Sequence, residues 1–393
     1  MLTKNILFQN FKIKTLEIKL KNNLILKLKN EIRNKNNLLF SFTSKYKYSY
    51  KKKLARSLKK NFSIINVVGM GGSILGSKAI YFFFKDKIKK KINFLDNLVD
   101  YRNNLQQKGN RLNIIISKSG NTLETIVNSN LAIKKKDKNL IITENNQNYL
   151  KILANNLKAE VIDHKNYIGG RYSVLSEVGM LPAEIMGLNE IKFKRLNYLV
   201  NKPKFIKLLC DNVEKTLSLT KKKKLNSIIL NYDEKSENLF KWYQQLISES
   251  LGKKSRGILP IISSMPKDNH SLLQLYLDGP KNNFFTFFYV YDKKSNFIKN
   301  KIFSNKFSFL KGKKVSDIIY VQKQATQNVF LKKNIPFRNF EILNRSEETL
   351  GELFCFFVLE TILLGKALNV NPFDQPSVEL IKKETKKIFF EKN

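Results

Sequence analysis

The sequence predicts an α/β protein of two successive domains with mostly parallel sheets. Three observations carry this reading. Short apolar runs end in glycine or hydroxyl clusters, segments of helix length separate them, and the alternation resumes past a joint at 197–206, around Pro203. Strands alternating with helices argue for parallel, doubly wound sheets. A chain of 393 residues has room for two such domains. The expected division is 1–200, an N-terminal segment plus the first domain, and 201–393, the second domain with a C-terminal helix.

Residues 1–60 are Lys-rich with scattered apolar positions and few turn signals, which reads as short helices and loops. The run 63–68 is apolar and stopped by glycines, a buried strand entering a turn. Runs 113–116, 140–143 and 159–163 read as three more strands, with a helix over 122–136. In the second half, 227–230 and 284–290 are strand-like, and 238–252 and 350–369 helix-like. The stretch 350–370 is the most apolar of the chain. It contains Glu352, Glu360 and Lys366, so it reads as a buried core helix and not a membrane span. The N-terminus shows no secretory pattern.

The net charge is +40, which by itself suggests a nucleic-acid partner. However, only nine of the 72 basic residues are Arg, the side chain whose planar fork suits phosphates and guanine edges. Lys together with Asn saturates the surface runs, as an AT-rich genome would dictate. The run 45–53 interleaves Tyr46, Tyr48 and Tyr50 with lysines, as single-strand binders do, and equally fits a solvated helix face. No nucleic-acid partner is expected. The field still favours anionic small substrates. Cys210 and Cys355 make no disulfide framework, and with His164 and His270 they show no metal-ligand spacing. A reducing cytoplasm fits.

The chemistry-bearing segments lie at strand ends. Gly69-Met70-Gly71-Gly72-Ser73 lets the backbone approach a ligand and opens a helix whose N-terminal amides favour anions. Ser117-Lys118-Ser119-Gly120-Asn121-Thr122 follows the second predicted strand, with Asn121 and Glu124 spaced as a capping box. It lacks the spacing of a nucleoside-triphosphate loop. Each alone is explained by an ordinary turn or cap. Together, at carboxyl ends of neighbouring strands, they read as a phosphate-ester site.

Gly169-Gly170-Arg171-Tyr172-Ser173 offers a guanidinium for an oxyanion, or simply a solvated surface turn. Within 238–252, Phe240, Tyr243, Ile247 and Leu251 share one apolar face. Gln245 and Glu249, four apart, share another. A carboxylate beside a neutral amide suits a positioned base; a plain surface residue explains Glu249 as well. His270 is one of two candidates for a proton shuttle near neutral pH, against the commoner structural role. The segment 371–382, with Gln375 and Lys382, is a turn leading into a basic helix.

Taken in order, these segments resemble the phosphoglucose isomerase family. Its pattern has a GIGGS-type loop, an SK-S/T-x-T-ET loop, a GGR-F/Y-S motif, a QQ…ESxGK helix, a His-containing loop and an FDQxxVExxK segment. Here they fall at 69–73, 117–125, 169–173, 244–253, 268–274 and 371–382. The resemblance implies two αβα-sandwich sugar-isomerase domains with the site between them. It implies aldose–ketose isomerisation of glucose 6-phosphate and fructose 6-phosphate through a cis-enediol, in glycolysis and gluconeogenesis. It places Gly72, Ser73, Ser117, Ser119, Thr122 and Gly170 around the substrate, with Lys118 near its phosphate. Glu249 is then the base, Arg171 the enediolate partner, and Gln245 and Gln375 line the sugar. His270 and Lys382 assist ring opening. No metal or organic cofactor is implied. A homodimer with His270 supplied in trans is.

The chain departs from the pattern at Leu251, where Asn is usual, and over 263–268. It is also shorter than most members. These departures bear on oligomer contacts and specificity. The competing readings are a related phosphosugar isomerase accepting mannose 6-phosphate, a non-catalytic sugar-phosphate regulator, and a nucleic-acid binder with steep salt dependence.

Overall fold

A computed structural model describes residues 1–13, 18–33, 37–98, 109–134, 136–299 and 305–391. Among the described residues, ten strands form two five-stranded sheets. They are β1 Ile6–Gln9, β2 Ile64–Gly69, β3 Lys91–Leu95, β4 Arg111–Ile116 and β5 Lys138–Thr143. Then follow β6 Glu160–Asp163, β7 Asn226–Asn231, β8 Leu259–Ser264, β9 Asn283–Val290 and β10 Phe337–Ile342. The first sheet runs β3-β2-β4-β5-β6, all parallel. The second runs β8-β7-β9-β10-β1. Four of its strands are parallel, and β1 pairs antiparallel with β10.

The two orders match. Each sheet begins in its middle, lays its second strand on one side, then turns to the other side for the third and fourth. The fifth place is β6 in the first sheet. In the second it is taken by β1, from the opposite end of the chain. This order puts a topological switch point between first and third strands, which is where doubly wound sheets bind ligands. In the first sheet that point lies between β2 and β4.

Parallel sheets covered on both faces read as continuous apolar runs, and β2, β4 and β5 are buried nearly throughout. Successive residues feed opposite layers. Ile114 and Ile116 join the large central core, while Ile115 joins a smaller cluster with Val68, Ile141 and Leu150. In the second sheet Phe284 and Phe288 face the central core, and Phe285 and Phe287 an outer one with Phe330. One core therefore runs between the inner faces of two three-layer units. The helix Glu347–Ala367 lies inside it, buried over nearly its whole length. No helix among the described residues is long and apolar enough to cross a membrane.

The first sheet also carries a polar ladder. Asn93, Asn66, Asn113 and Asn139 stand side by side in register, the first three amides each donating to the next at 2.8–2.9 Å.

Two expectations for the N-terminal segment are corrected. It supplies a sheet strand, β1, and the 16-residue helix Ile18–Arg33, not only short helices and loops. The run 45–53 is no solvated helix face. Its helix starts at Lys52, and Tyr46 and Tyr50 are buried. The Tyr46 hydroxyl donates to Glu177, and Tyr50 donates to Glu184. Those rings are committed to packing and offer nothing for bases to stack on.

Candidate active site

Two loops meet at the switch point of the first sheet. β2 ends at Gly69 and passes through a 3-10 turn, Gly71–Ser73, into the helix Leu75–Phe83. β4 ends at Ile116 and passes through Ser117 to Thr122 into the helix Leu123–Ala132. A Cβ on Gly69 would lie 2.9 Å from the Ile116 carbonyl, so the loops leave their strands almost in contact. Neither helix has a side-chain cap at its N-terminus. Their first-turn amides stay open, and the helix dipole favours an anion there.

The expected capping box of Asn121 and Glu124 does not form. Thr122 is the N-cap, and Asn121 Oδ1 instead accepts from the Tyr149 amide at 2.9 Å, tying the loop to the next helix. Ser117 Oγ and Thr122 Oγ1 are bonded at 2.9 Å across the loop mouth. Ser119 is exposed, and Lys118 lies along the rim, donating to the Asn166 carbonyl at 2.7 Å and facing Glu144 at 3.4 Å. Near Lys118, His164 is buried. Burial, reinforced by the Lys118 charge, pushes its ring down to about 4, so it is neutral at pH 7. It is a structural histidine.

The glycine loops of the first half touch. A Cβ on Gly72 would fall 2.1 Å from the Gly170 carbonyl carbon, so only glycine permits this backbone contact. Ser173 Oγ donates to Gly170 O at 2.7 Å and closes the turn. Arg171 is thereby aimed across to the second half. Its Nε donates to Ser250 Oγ at 2.8 Å, and Nη1 to Glu249 Oε2 at 3.2 Å and Gln375 Oε1 at 2.7 Å. Its Nη2 donates to the carbonyls of Pro372 at 2.6 Å and Asp374 at 3.0 Å. All five guanidinium N–H groups are used.

Glu249 and Gln245 lie on the helix Glu237–Leu251, whose apolar face buries Phe240, Tyr243, Ile247 and Leu251 as expected. Gln245 Nε2 donates to Glu249 Oε1 at 2.9 Å, so each carboxylate oxygen holds one donor. Gln245 Oε1 is buried without a partner, an acceptor left for a ligand hydroxyl. Gly71, at φ +51°, admits this side chain; a Cβ there would stand 2.7 Å from Gln245 Nε2.

Arg171, Glu249, Gln245 and Gln375 are therefore brought together, with Gly72 and Gly170 beside them. The structure does not bring His270 or Lys382 to this group. His270 is exposed at the end of the 3-10 turn Lys267–His270. Lys382, on the exposed helix Pro376–Glu391, pairs with Glu379 at 2.6 Å.

Three supporting residues escaped the sequence. Ser250 Oγ accepts from Arg171 Nε and bonds the Tyr172 hydroxyl at 2.9 Å. Burial pushes that phenol up, and it donates to the Pro372 carbonyl at 2.8 Å. Trp242 Nε1 donates to the Arg171 carbonyl at 3.1 Å. Ser250 follows Glu249 directly and Trp242 is the only tryptophan, but nothing local says that either reaches a residue about 70 positions upstream.

The profile of the family described as phosphoglucose isomerase matches residues 47–393. The chain belongs to the phosphoglucose isomerase family. It is 34% identical over 338 residues to glucose-6-phosphate isomerase of Methanocaldococcus jannaschii, covering 81% of this chain and 82% of that one. It is 32% identical to the Mycoplasmopsis synoviae enzyme of the same name, over 88% and 87% of the two chains. Among solved structures, a hypothetical protein from Thermus thermophilus superposes with a TM-score of 0.80 at 22% identity, covering 94% of this chain and 95% of that one. A glucose-6-phosphate isomerase from Chlamydia trachomatis superposes at 0.67 and 19% identity, over 96% and 76%. These likenesses show that phosphoglucose isomerase folds include this architecture.

Proposed function

We propose that this chain interconverts glucose 6-phosphate and fructose 6-phosphate through a cis-enediol, serving glycolysis and gluconeogenesis. The reading rests on one observation: Arg171 and Glu249, from opposite halves of the molecule, meet at 3.2 Å beside two glycine loops. Moving a proton between C1 and C2 needs a base close to a C–H and a cation over the oxygen that becomes anionic. Glu249 is the base, held by Gln245. Arg171 faces the developing enediolate, and Gln245 Oε1 and Gln375 orient the sugar.

Ser73, Ser117, Ser119 and Thr122, with the open amides of the two helices, grip the phosphate. Lys118 supplies charge at the rim. Binding energy from this remote group holds the reacting end in place. The route needs neither metal nor organic cofactor.

His270 and Lys382 act at ring opening only if a second subunit completes the site. The helix Pro376–Glu391 buries none of its residues and exposes Leu380, Ile381, Phe389 and Phe390. That surface supports a homodimer in which His270 is supplied in trans. Cys210 and Cys355 are both buried, which supports our reading of a reducing cytoplasm.

The test is a coupled dehydrogenase assay on fructose 6-phosphate. The expected outcome is steady formation of glucose 6-phosphate by the purified chain. No turnover, with mannose 6-phosphate also inert, overturns the reading.

A further inference from the structure

The turn after the catalytic helix holds two cations that the chemistry above leaves unused. Lys253 and Arg256 face each other as a bridged pair, with Lys253 N donating to Arg256 O at 3.1 Å and Arg256 N to Lys253 O at 2.9 Å. Between them Lys254 has φ 52° and Ser255 φ 54°. A two-residue turn with both central residues left-handed usually uses Asn and Gly. Here two residues with ordinary side chains adopt it, and strained backbone of this kind persists where surrounding contacts demand it.

Those contacts run to one segment. Arg256 Nη1 donates to the Leu368 carbonyl, just past the C-terminus of the helix Glu347–Ala367. Lys253 Nζ donates to the Asn371 carbonyl and pairs with Asp374 Oδ1 at 2.8 Å. Its third bond, at 3.2 Å, goes to the Ser250 carbonyl on the catalytic helix. The Lys253 side chain is 12% exposed and Asp374 52%, so the clasp stands on the sheltered lysine and its two carbonyl bonds more than on the ion pair itself. Its hydrogen bond and charge hold the Asp374 carboxyl below the usual carboxylate range.

From the other side, Arg171 takes the carbonyls of Pro372 and Asp374 and the side chain of Gln375. Residues 371–375 are thus held between a turn on one side and the guanidinium on the other. Moving this strap moves three of the five acceptors that aim Arg171.

We propose that Lys253, assisted by Arg256, is a positioning residue: it clasps the strap 371–375 at a fixed height and thereby aims Arg171 at the reacting carbon atoms. The phosphate grip lies on other loops, so the clasp acts on the chemical step and not on substrate capture. The inference rests on the isomerase reading above.

The experiment compares wild type with Lys253→Met, Lys253→Arg, Asp374→Asn and the Lys253→Met/Asp374→Asn pair. The readouts are kcat and KM for fructose 6-phosphate and amide hydrogen exchange in peptides covering 371–375. Lys253→Met is expected to lower kcat about tenfold with KM within threefold, the scale of a slightly misplaced catalytic group. Lys253→Arg should recover most of the loss. The double variant should be no worse than the worse single, because both remove one clasp. Exchange over 371–375 should quicken in Lys253→Met.

A kcat within twofold of wild type in Lys253→Met, an equal loss in Lys253→Arg, or additive losses in the pair would overturn the clasp. A wild type without turnover overturns the isomerase reading instead. In that case the exchange measurement still decides the clasp, and unchanged exchange in Lys253→Met removes it.

Discussion

Arg171 spends all five N–H donors on protein acceptors, so a sugar oxygen that reaches its Nη1 must displace Glu249 or Gln375. Glu249 keeps its second bond, to Gln245, when that happens. On the proposed reading, a sugar oxygen that displaces Glu249 frees that carboxylate to act as the base, whereas one that displaces Gln375 leaves it on the cation. At the phosphate end the same reasoning isolates single hydroxyls. Thr122 Oγ1 has Ser117 Oγ as its partner and stands at an uncapped helix start. Thr122→Val keeps the shape and removes the donor. It should raise KM for fructose 6-phosphate roughly tenfold, the worth of one hydrogen bond to a charged group, with little change in kcat. Steady-state kinetics check this, and an unchanged KM removes Thr122 from the phosphate site. Arg171, Glu249, Gln245 and Gln375 were legible because each sits in a short motif of fixed order. The contacts of Ser250, Tyr172 and Trp242 were not, although Ser250 and Tyr172 lie in the same motifs, because those contacts are made across to the other half.

Most strands that were legible are buried on both faces; β6, read at 159–163, was legible too although Glu160 and Val161 are exposed. β2, β4, β5 and β9 are runs of Ile, Val, Leu and Phe that announce themselves. The missed strands hide their pattern. β10 reads Phe-Arg-Asn-Phe-Glu-Ile, polar enough to pass for a loop, yet it is wholly buried. Its Arg338 meets Glu360 and Asn212, and its Glu341 meets Lys323, all on other elements. β1 is four residues long and gains its partner more than 300 positions away. The Asn ladder was hidden in the same way, since register decides that four asparagines align. Asn66 and Asn113 are fully buried. Asn113→Ala leaves the Asn66 and Asn139 amides short of a partner. It should destabilise the fold by about 2 kcal/mol or more, measurable by denaturant unfolding. A loss below about 0.5 kcal/mol would mean the ladder contributes nothing to holding the sheet.

At the scale of the molecule, two sheets of the same strand order face one core, and the site is drawn from five stretches far apart in sequence. The +40 charge, so prominent in composition, comes mostly from lysine, since only nine of the 72 basic residues are Arg. On the proposed reading a second copy of the chain covers the exposed helix Pro376–Glu391 and receives His270. If His270 works in trans, mixing His270→Ala with Glu249→Gln should recover activity, since each mixed dimer then holds one site with both groups intact. No recovery from two inactive parents would place His270 in its own subunit's site. Isomerisation in deuterated water is the sharpest test of Glu249 as the proton carrier of an enediol route. Wild type is expected to leave solvent deuterium at C1 or C2 of the sugar, and a folded Glu249→Gln to turn over orders of magnitude more slowly, without label. Wild-type turnover without any label, or Glu249→Gln turning over within a few-fold of wild type, would contradict that role.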